Sequence, residues 1–193
     1  MRTSATKTID FWLFSRTSNN SEMKCSGFSP TAERDARVLI LGSLPGRVSL
    51  ELNQYYANPR NAFWSIMGEL AQAHPHLTYD ARLSQLHRKG IALWDVCASA
   101  ERVGSLDANI IKRTLVPNNF DSFLRDHPRI QAIFFNGSAA AKLFRRSFYP
   151  YPASIASLQL RTLDSTSPAR TLPLSEKRLR WLDALTPYLN KGA

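Results

Sequence analysis

Several short polar stretches in this chain stand directly behind or between apolar runs: "GSLPG" at 42–46, "QYYANPRNAFW" at 54–64, "WDVCAS" at 94–99, "FNGSAA" at 135–140 and "DSTSPAR" at 164–170. Their reactive complement is amides, small hydroxyls, two carboxylates and arginine. Such groups position water, read hydrogen-bonding edges and grip phosphate, and none of them is a strong base. Glycine and proline beside them make tight turns that let a ligand come close to the backbone. "GSLPG" lacks the Lys-Ser/Thr pair a triphosphatase needs, and it lacks the third glycine and acidic partner of a dinucleotide site. Cys25 and Cys97 are the two cysteines. Their spacing is that of neither a zinc site nor a disulfide framework, so two reduced thiols are expected and no metal or cofactor is called for.

The elements that must carry these stretches follow from hydrophobic pattern. "RVLILG", "GIALWDV" and "RIQAIFFNG" read as buried strands, and "LQLRTLDS" holds a fourth. Between them run helical segments: "NAFWSIMGELAQA", "YDARLSQLHRKG", "NFDSFLRDH" and "SAAAKLFRRSF", with "SEKRLRWLDALTPYL" closing the chain. Strands alternating with helices imply a parallel sheet covered on both faces. The expected fold is therefore a single-domain three-layer α/β/α sandwich around a mostly parallel four-stranded sheet. Residues 1–33, rich in Ser, Thr and Asn, read as an extension, with "FWLF" at 11–14 as a docking or merely sticky patch, and 34–190 as the domain. In such sheets ligands sit where the carboxyl ends of the strands converge. That rule places the polar stretches at one composite site.

The chain has 193 residues, 44% of them apolar, enough for one core. It has no run near the roughly 18 apolar residues of a membrane span. A soluble, cytoplasmic monomer with no membrane contact is expected. Twenty-five Lys and Arg against 15 Asp and Glu leave a net charge of +10. Most of the cations are arginine, which forks onto phosphate oxygens, so a polyanionic partner is favoured over a merely basic enzyme.

Together, "LILGSLPG", "QYYANPRNAFW", "FFNGSAAAKLF" and "STSPAR" resemble the uracil-DNA glycosylase superfamily, most closely its hypoxanthine (deoxyinosine) branch, over roughly Phe28 to Leu189. The resemblance implies an enzyme that flips a deaminated base out of DNA and hydrolyses its N-glycosidic bond, leaving an abasic site and using no cofactor. Hypoxanthine is the favoured base, with uracil and xanthine as alternatives. It implies Asn61 and Asn136 as the catalytic residues, with Ser43, Leu44, Tyr56 and Asp95 at the base. Pro45, Gly46, Arg60, Ser165, Thr166, Ser167 and Arg170 would lie along the DNA. Three positions depart from the branch's usual pattern: Asn58 stands for histidine, Asp164 for proline and Arg170 for asparagine. Leu44 also occupies the place where many members carry an Asp or Asn that handles the attacking water.

The residue types suit that chemistry. A base inside a duplex must be extruded into a snug pocket, where Tyr56 offers a stacking face. Asp95 offers an acceptor to a ring N–H. Departure of the base leaves an oxocarbenium-like sugar, which needs a placed water and favourable electrostatics. Plainer roles stay open: Asn61 as a helix cap, Trp64 as core, Asn136 as a strand end, Asp95 as a cap or arginine partner. Two other functions stay open as well, a DNA-binding module without catalysis, which Leu44 favours, and a nucleotide-binding enzyme outside repair.

Overall fold

The computed structural model describes residues 23–189, so "FWLF" lies outside the described residues. The strands are β1 Met23–Ser26, β2 Val38–Gly42, β3 Ile91–Asp95, β4 Cys97–Arg102, β5 Val116–Pro117, β6 Ala132–Asn136 and β7 Gln159–Leu163. The helices are α1 Arg47–Leu52, α2 Phe63–Ala71, α3 Tyr79–Arg88, α4 Phe120–Asp126, α5 Ser138–Phe148, α6 Ala153–Ala156 and α7 Leu174–Leu189. Short 3-10 turns occupy Asp107–Asn109 and Lys112–Thr114. No helix among the described residues is long and apolar enough to cross a membrane.

The central sheet has the order β3-β2-β6-β7 and every pairing in it is parallel. Its two inner strands, β2 and β6, and the edge strand β3 are buried at every position. Since side chains alternate across a sheet, each strand feeds two cores. Val38, Ile40, Leu93 and Phe134 pack with Phe63 and Ile66 of α2, Leu86 of α3, and Trp181 and Leu185 of α7. Leu39, Leu41, Ala92 and Phe135 pack on the other face with Phe120 and Phe123 of α4 and Phe144 of α5. Helices thus cover both faces, as the alternating pattern requires. Local signals set several starts: Thr78 Oγ1 accepts from Ala81 N at 3.3 Å ahead of α3, and Asn119 Oδ1 accepts from Ser122 N at 3.1 Å ahead of α4.

Two features differ from the expectation. A second sheet, antiparallel in the order β1-β4-β5, leaves the end of β3 after Val96 and lies against the α4/α5 core through Cys25, Cys97 and Ala100. The described part of the expected extension, residues 23–33, belongs to the packed body. There β1 pairs with β4, Thr31 bridges Leu93, Trp94 Nε1 donates to Phe28 O at 3.1 Å, and the Phe28 ring meets Tyr55 edge-on at 5.2 Å. Both cysteines are buried, and burial followed by the nearby Asp95 charge pushes Cys97 up to about 12. A thiol so held is unreactive.

Gly27 joins β1 to this body, with its N–H donating to Ala98 O at 2.8 Å. A Cβ there would sit 2.5 Å from the Cys97 carbonyl oxygen, a contact only backbone movement relieves. Gly27→Ala is therefore expected to cost about 1–3 kcal/mol in urea or thermal melting. An unchanged midpoint would return this segment to the status of a loose extension.

Candidate functional site

The carboxyl ends of β2, β3 and β6 and the loop after β7 bring the polar stretches together. At the β2 end, Ser43, Leu44 and Pro45 are buried. Their path is held by Arg102 of β4, a guanidinium 2% exposed, which donates to Leu44 O at 3.3 Å, to Pro45 O, and to Gly104 O at 3.0 Å. A buried cation is tolerated only when its donors are met, and here loop carbonyls meet them. Ser43 Oγ donates to Asp107 Oδ1 at 2.5 Å. Neither Arg102 nor Asp107 was marked by any motif. Pro45, expected along the DNA, is buried and its carbonyl accepts from Arg102.

Across this loop lies the 54–64 segment. Tyr55 anchors it: its hydroxyl donates to Ser29 O at 3.1 Å, and its carbonyl accepts from Trp64 Nε1 at 3.0 Å. Trp64 is core, 4% exposed, with Arg82 over its ring at 4.5 Å. Tyr56 has φ 54, a left-handed conformation that costs a bulky residue energy and that surrounding contacts must impose. Its ring stacks on Phe63 at 3.9 Å with the planes 21° apart, so one face is already taken. Asn58 Oδ1 accepts from Arg60 N at 3.0 Å and its carbonyl from Asn61 N at 2.8 Å, folding the turn that carries Asn61. Asn61 Oδ1 in turn accepts from Phe63 N at 3.0 Å, satisfying the first N–H of α2 from the position before its N-cap residue, Ala62, which has no side-chain cap of its own. Its Nδ2 has no hydrogen-bond partner among the described residues. Arg60 is exposed.

Gly42 is where β2, β3 and Tyr56 meet. A Cβ there would collide with Asp95 Oδ1 and lie 3.4 Å from Tyr56 Oη, so only glycine admits the two polar groups side by side. Asp95 is 4% exposed, and both its Oδ2 and the Tyr56 hydroxyl are buried without a hydrogen-bond partner. Burial, then the like charge of Asp107, pushes Asp95 up to about 7 against the pull of Arg102. Burial and the Asp95 charge raise the Tyr56 phenol as well; the Asn136 amide, near but outside hydrogen-bond geometry, offsets part of that rise. Buried orphan groups are rare and each costs about 1–3 kcal/mol. Two of them on side chains that meet at Gly42 make this the candidate ligand contact.

The third tip is tied to the fourth. Asn136 Nδ2 donates to Thr166 Oγ1 and Asn136 Oδ1 accepts from Thr166 N, each at 2.8 Å. Thr166 O accepts from Ala62 N at 3.0 Å. Thr166 is fully buried, so its side chain does not reach DNA as expected; it joins the β6 tip, the 61–62 turn and the 164–170 loop. Around it Ser165 and Ser167 are partly exposed, and Gly46 likewise on the facing loop. Arg170 is exposed and donates to Asp164 Oδ1 from Nε at 3.2 Å and from the terminal nitrogen at 2.9 Å. Burial opposes ionisation of Asp164, but Arg170 and Arg180 outweigh it and hold the carboxyl below its usual range. Lys177, 4% exposed, donates to Arg170 O at 2.7 Å and Ser167 O at 3.4 Å, holding the loop from beneath. A separate cleft of about 440 Å³ beside Phe28, Tyr55 and Tyr79 includes none of these tip residues.

The Asp95 shift has a stability consequence. Its carboxyl is raised from 3.8 to about 7 on folding, so its burial penalises the native state as pH rises through that window, and the penalty is complete above it. Asp95→Asn removes the ionisation. Melting of this variant is expected to exceed that of the parent at pH 8, by up to about 3–4 kcal/mol, with the gap closing towards pH 4. A gap independent of pH would mean that Asp95 is ionised at little cost.

Residues 29–189 match the family model described as the uracil DNA glycosylase superfamily. A protein of Methanosarcina barkeri named hypoxanthine DNA glycosylase is 33% identical over 164 residues, spanning 84% of this chain and 98% of that one. One of Methanosarcina acetivorans with the same name is 34% identical over 117 residues, 60% of this chain and 73% of that one. A solution NMR structure from Methanosarcina acetivorans, described as a candidate uracil DNA glycosylase, superposes with a TM-score of 0.65 at 30% identity, covering 83% of this chain and 99% of that one. With the family match running from Ser29 to Leu189 over the same parallel sheet whose strand ends carry the polar cluster, the chain belongs to the uracil DNA glycosylase superfamily.

Proposed function

We propose that this chain is a monofunctional DNA glycosylase that extrudes a deaminated base, hypoxanthine foremost and uracil or xanthine secondarily, and hydrolyses its N-glycosidic bond. The observation that carries the reading is a pair of buried, unpartnered polar atoms, Asp95 Oδ2 and Tyr56 Oη, on two side chains that both approach Gly42. Deamination turns a ring nitrogen lone pair into an N–H. Ionised Asp95 accepts from that N–H and repels the lone pair of the parent base, which is the discrimination a repair enzyme needs. Leaving such a group unmatched is what makes a polar site selective.

In this reading the open face of Tyr56 stacks on the extruded base, and Asn136, fixed by Thr166, donates its remaining N–H to the leaving base. Asn61 holds water near the sugar with its amide while its oxygen caps α2. Ser165, Ser167, Gly46, Arg60 and Arg170 line the backbone path, where phosphate contacts position the duplex. Nothing in the step calls for a metal, and activity in excess EDTA is expected. The second reading, a damage-binding module without catalysis, draws on buried Leu44 and on the Asn61 oxygen being already engaged.

Single-turnover release of hypoxanthine from an oligonucleotide with one deoxyinosine, scored as strand scission after hot alkali, separates the two readings. The parent chain is expected to release base, and Asn61→Ala to slow release by roughly 10²–10³ with binding little changed. Asn61→Ala also removes a cap worth about 1 kcal/mol, whereas Asn61→Asp keeps it. A parent that binds the oligonucleotide and never releases base is the inactive module. For the duplex itself, log K is expected to fall with log salt by about 0.9 per phosphate contacted, and Arg170→Ala to weaken damaged and undamaged DNA alike. A flat salt response would detach the +10 charge from DNA.

A further inference from the structure

Leu44 leaves the β2 loop without a group to take a proton from water, yet a carboxylate reaches that loop from elsewhere in the chain. Asp107 opens the short turn Asp107–Asn109, 64 residues from its partner Ser43. The residue is exposed, but its Oδ1 turns inward to accept from Ser43 Oγ at 2.5 Å. Its Oδ2 has no hydrogen-bond partner among the described residues. The turn is held in place by Asn109 Nδ2 donating to Val103 O at 2.9 Å and by Arg47 N donating to Ser105 Oγ at 3.2 Å. Arg102 supplies the cation beneath.

We propose that Asp107 is the catalytic carboxylate of this site, placed by Ser43 so that its open oxygen receives a proton from the attacking water and faces the cationic sugar. This rests on the glycosylase reading above. The water oxygen bonds to C1′, the C1′–N pair leaves with the base, one water proton passes to Asp107, and the departing base is protonated from solvent. Geometry is what selects Asp107 over Asp95: Asp95 is sealed at 4% exposure beside Gly42, whereas Asp107 is an exposed residue that solvent water reaches. Burial of the carboxyl raises its affinity for a proton, and the Ser43 hydrogen bond and Arg102 oppose this. A carboxylate shifted in this direction is a better proton acceptor near neutral pH. The charged and titratable groups around it are Arg102, Asp95, Tyr56 and Cys97.

The test is single-turnover hypoxanthine release by Asp107→Asn and Asp107→Ala at saturating enzyme, with melting temperature and affinity for the same duplex measured alongside. Asparagine retains an oxygen for Ser43, so the loop keeps its shape. Expected are a fall of roughly 10²–10³ in rate for both variants at near-parental affinity, and partial recovery of Asp107→Ala by added formate. A rate for Asp107→Asn within about threefold of the parent overturns the assignment, as does a loss of rate matched by loss of affinity or of fold. Because the parent is measured first, failure of the glycosylase reading shows as no release by the parent, distinct from a parent that cleaves and an Asp107→Asn that cleaves equally well.

Discussion

The reciprocal pair between the Asn136 amide and Thr166 fixes the relative positions of everything else at the site. Asparagine offers a donor and an acceptor on one planar group, and the backbone N–H and hydroxyl of Thr166 match both at 2.8 Å. The same threonine then takes the Ala62 N–H on its carbonyl. Three segments distant in sequence are therefore set by one buried residue. Hydrogen bonds in such a place are strengthened by low local dielectric, and the cost of losing one partner is larger than the average worth of the bond. The site's precision comes from this hub rather than from rigidity of the loops that surround it.

A second constraint is electrostatic. Arg102 is a cation bonded beneath the β2 loop, and the carboxylates of Asp95 and Asp107 share its influence. Two carboxylates beside one guanidinium, one of them the buried Asp95, leave a negative charge without full compensation. The imbalance appears as the raised proton affinity of Asp95 and as its orphan oxygen. Binding sites commonly carry such costs, since groups left unsatisfied in the free protein gain partners only from the ligand.

The central sheet was legible because β2, β3 and β6 are unbroken apolar runs, the signature of strands covered on both faces, and their order along the chain alternates with helical periods. The second sheet was not. "CASAER" in β4 and "MKCS" in β1 use small and polar residues whose alternation is faint, and their pairing is settled by tertiary contact. At the candidate site, strand-tip reasoning led to Ser43, Tyr56, Asp95 and Asn136, which the fold brings near one another, because polar residues after apolar runs are visible in one dimension. It misplaced Thr166, since a loop of Ser, Thr and Pro looks solvent-facing until Asn136, 30 residues away, is seen to bury it. Arg102 and Asp107 were invisible for the same reason: their meaning lies in partners 57 and 64 residues distant.

Asp164 and Arg170, singled out separately as departures from the family's pattern, are each other's partner. Alone, a carboxylate beside a phosphate path would repel the ligand; with Arg170 and Arg180 both bonded to it, the group as a whole remains cationic. Exposed ion pairs contribute little to stability, about 0–1 kcal/mol each, so stability is a poor reason for the trio. Its geometry offers a better one. The Asp164 side chain is 14% exposed and its carbonyl accepts from Trp181 Nε1, while the two guanidiniums are 51% and 56% exposed. The carboxylate is thus the fixed post and the arginines are arms held at known positions, with Lys177 securing the loop below. Arms already ordered lose less conformational freedom when a phosphate arrives, and under the proposed DNA-binding role that saving, rather than the extra charge, is what the pair would contribute.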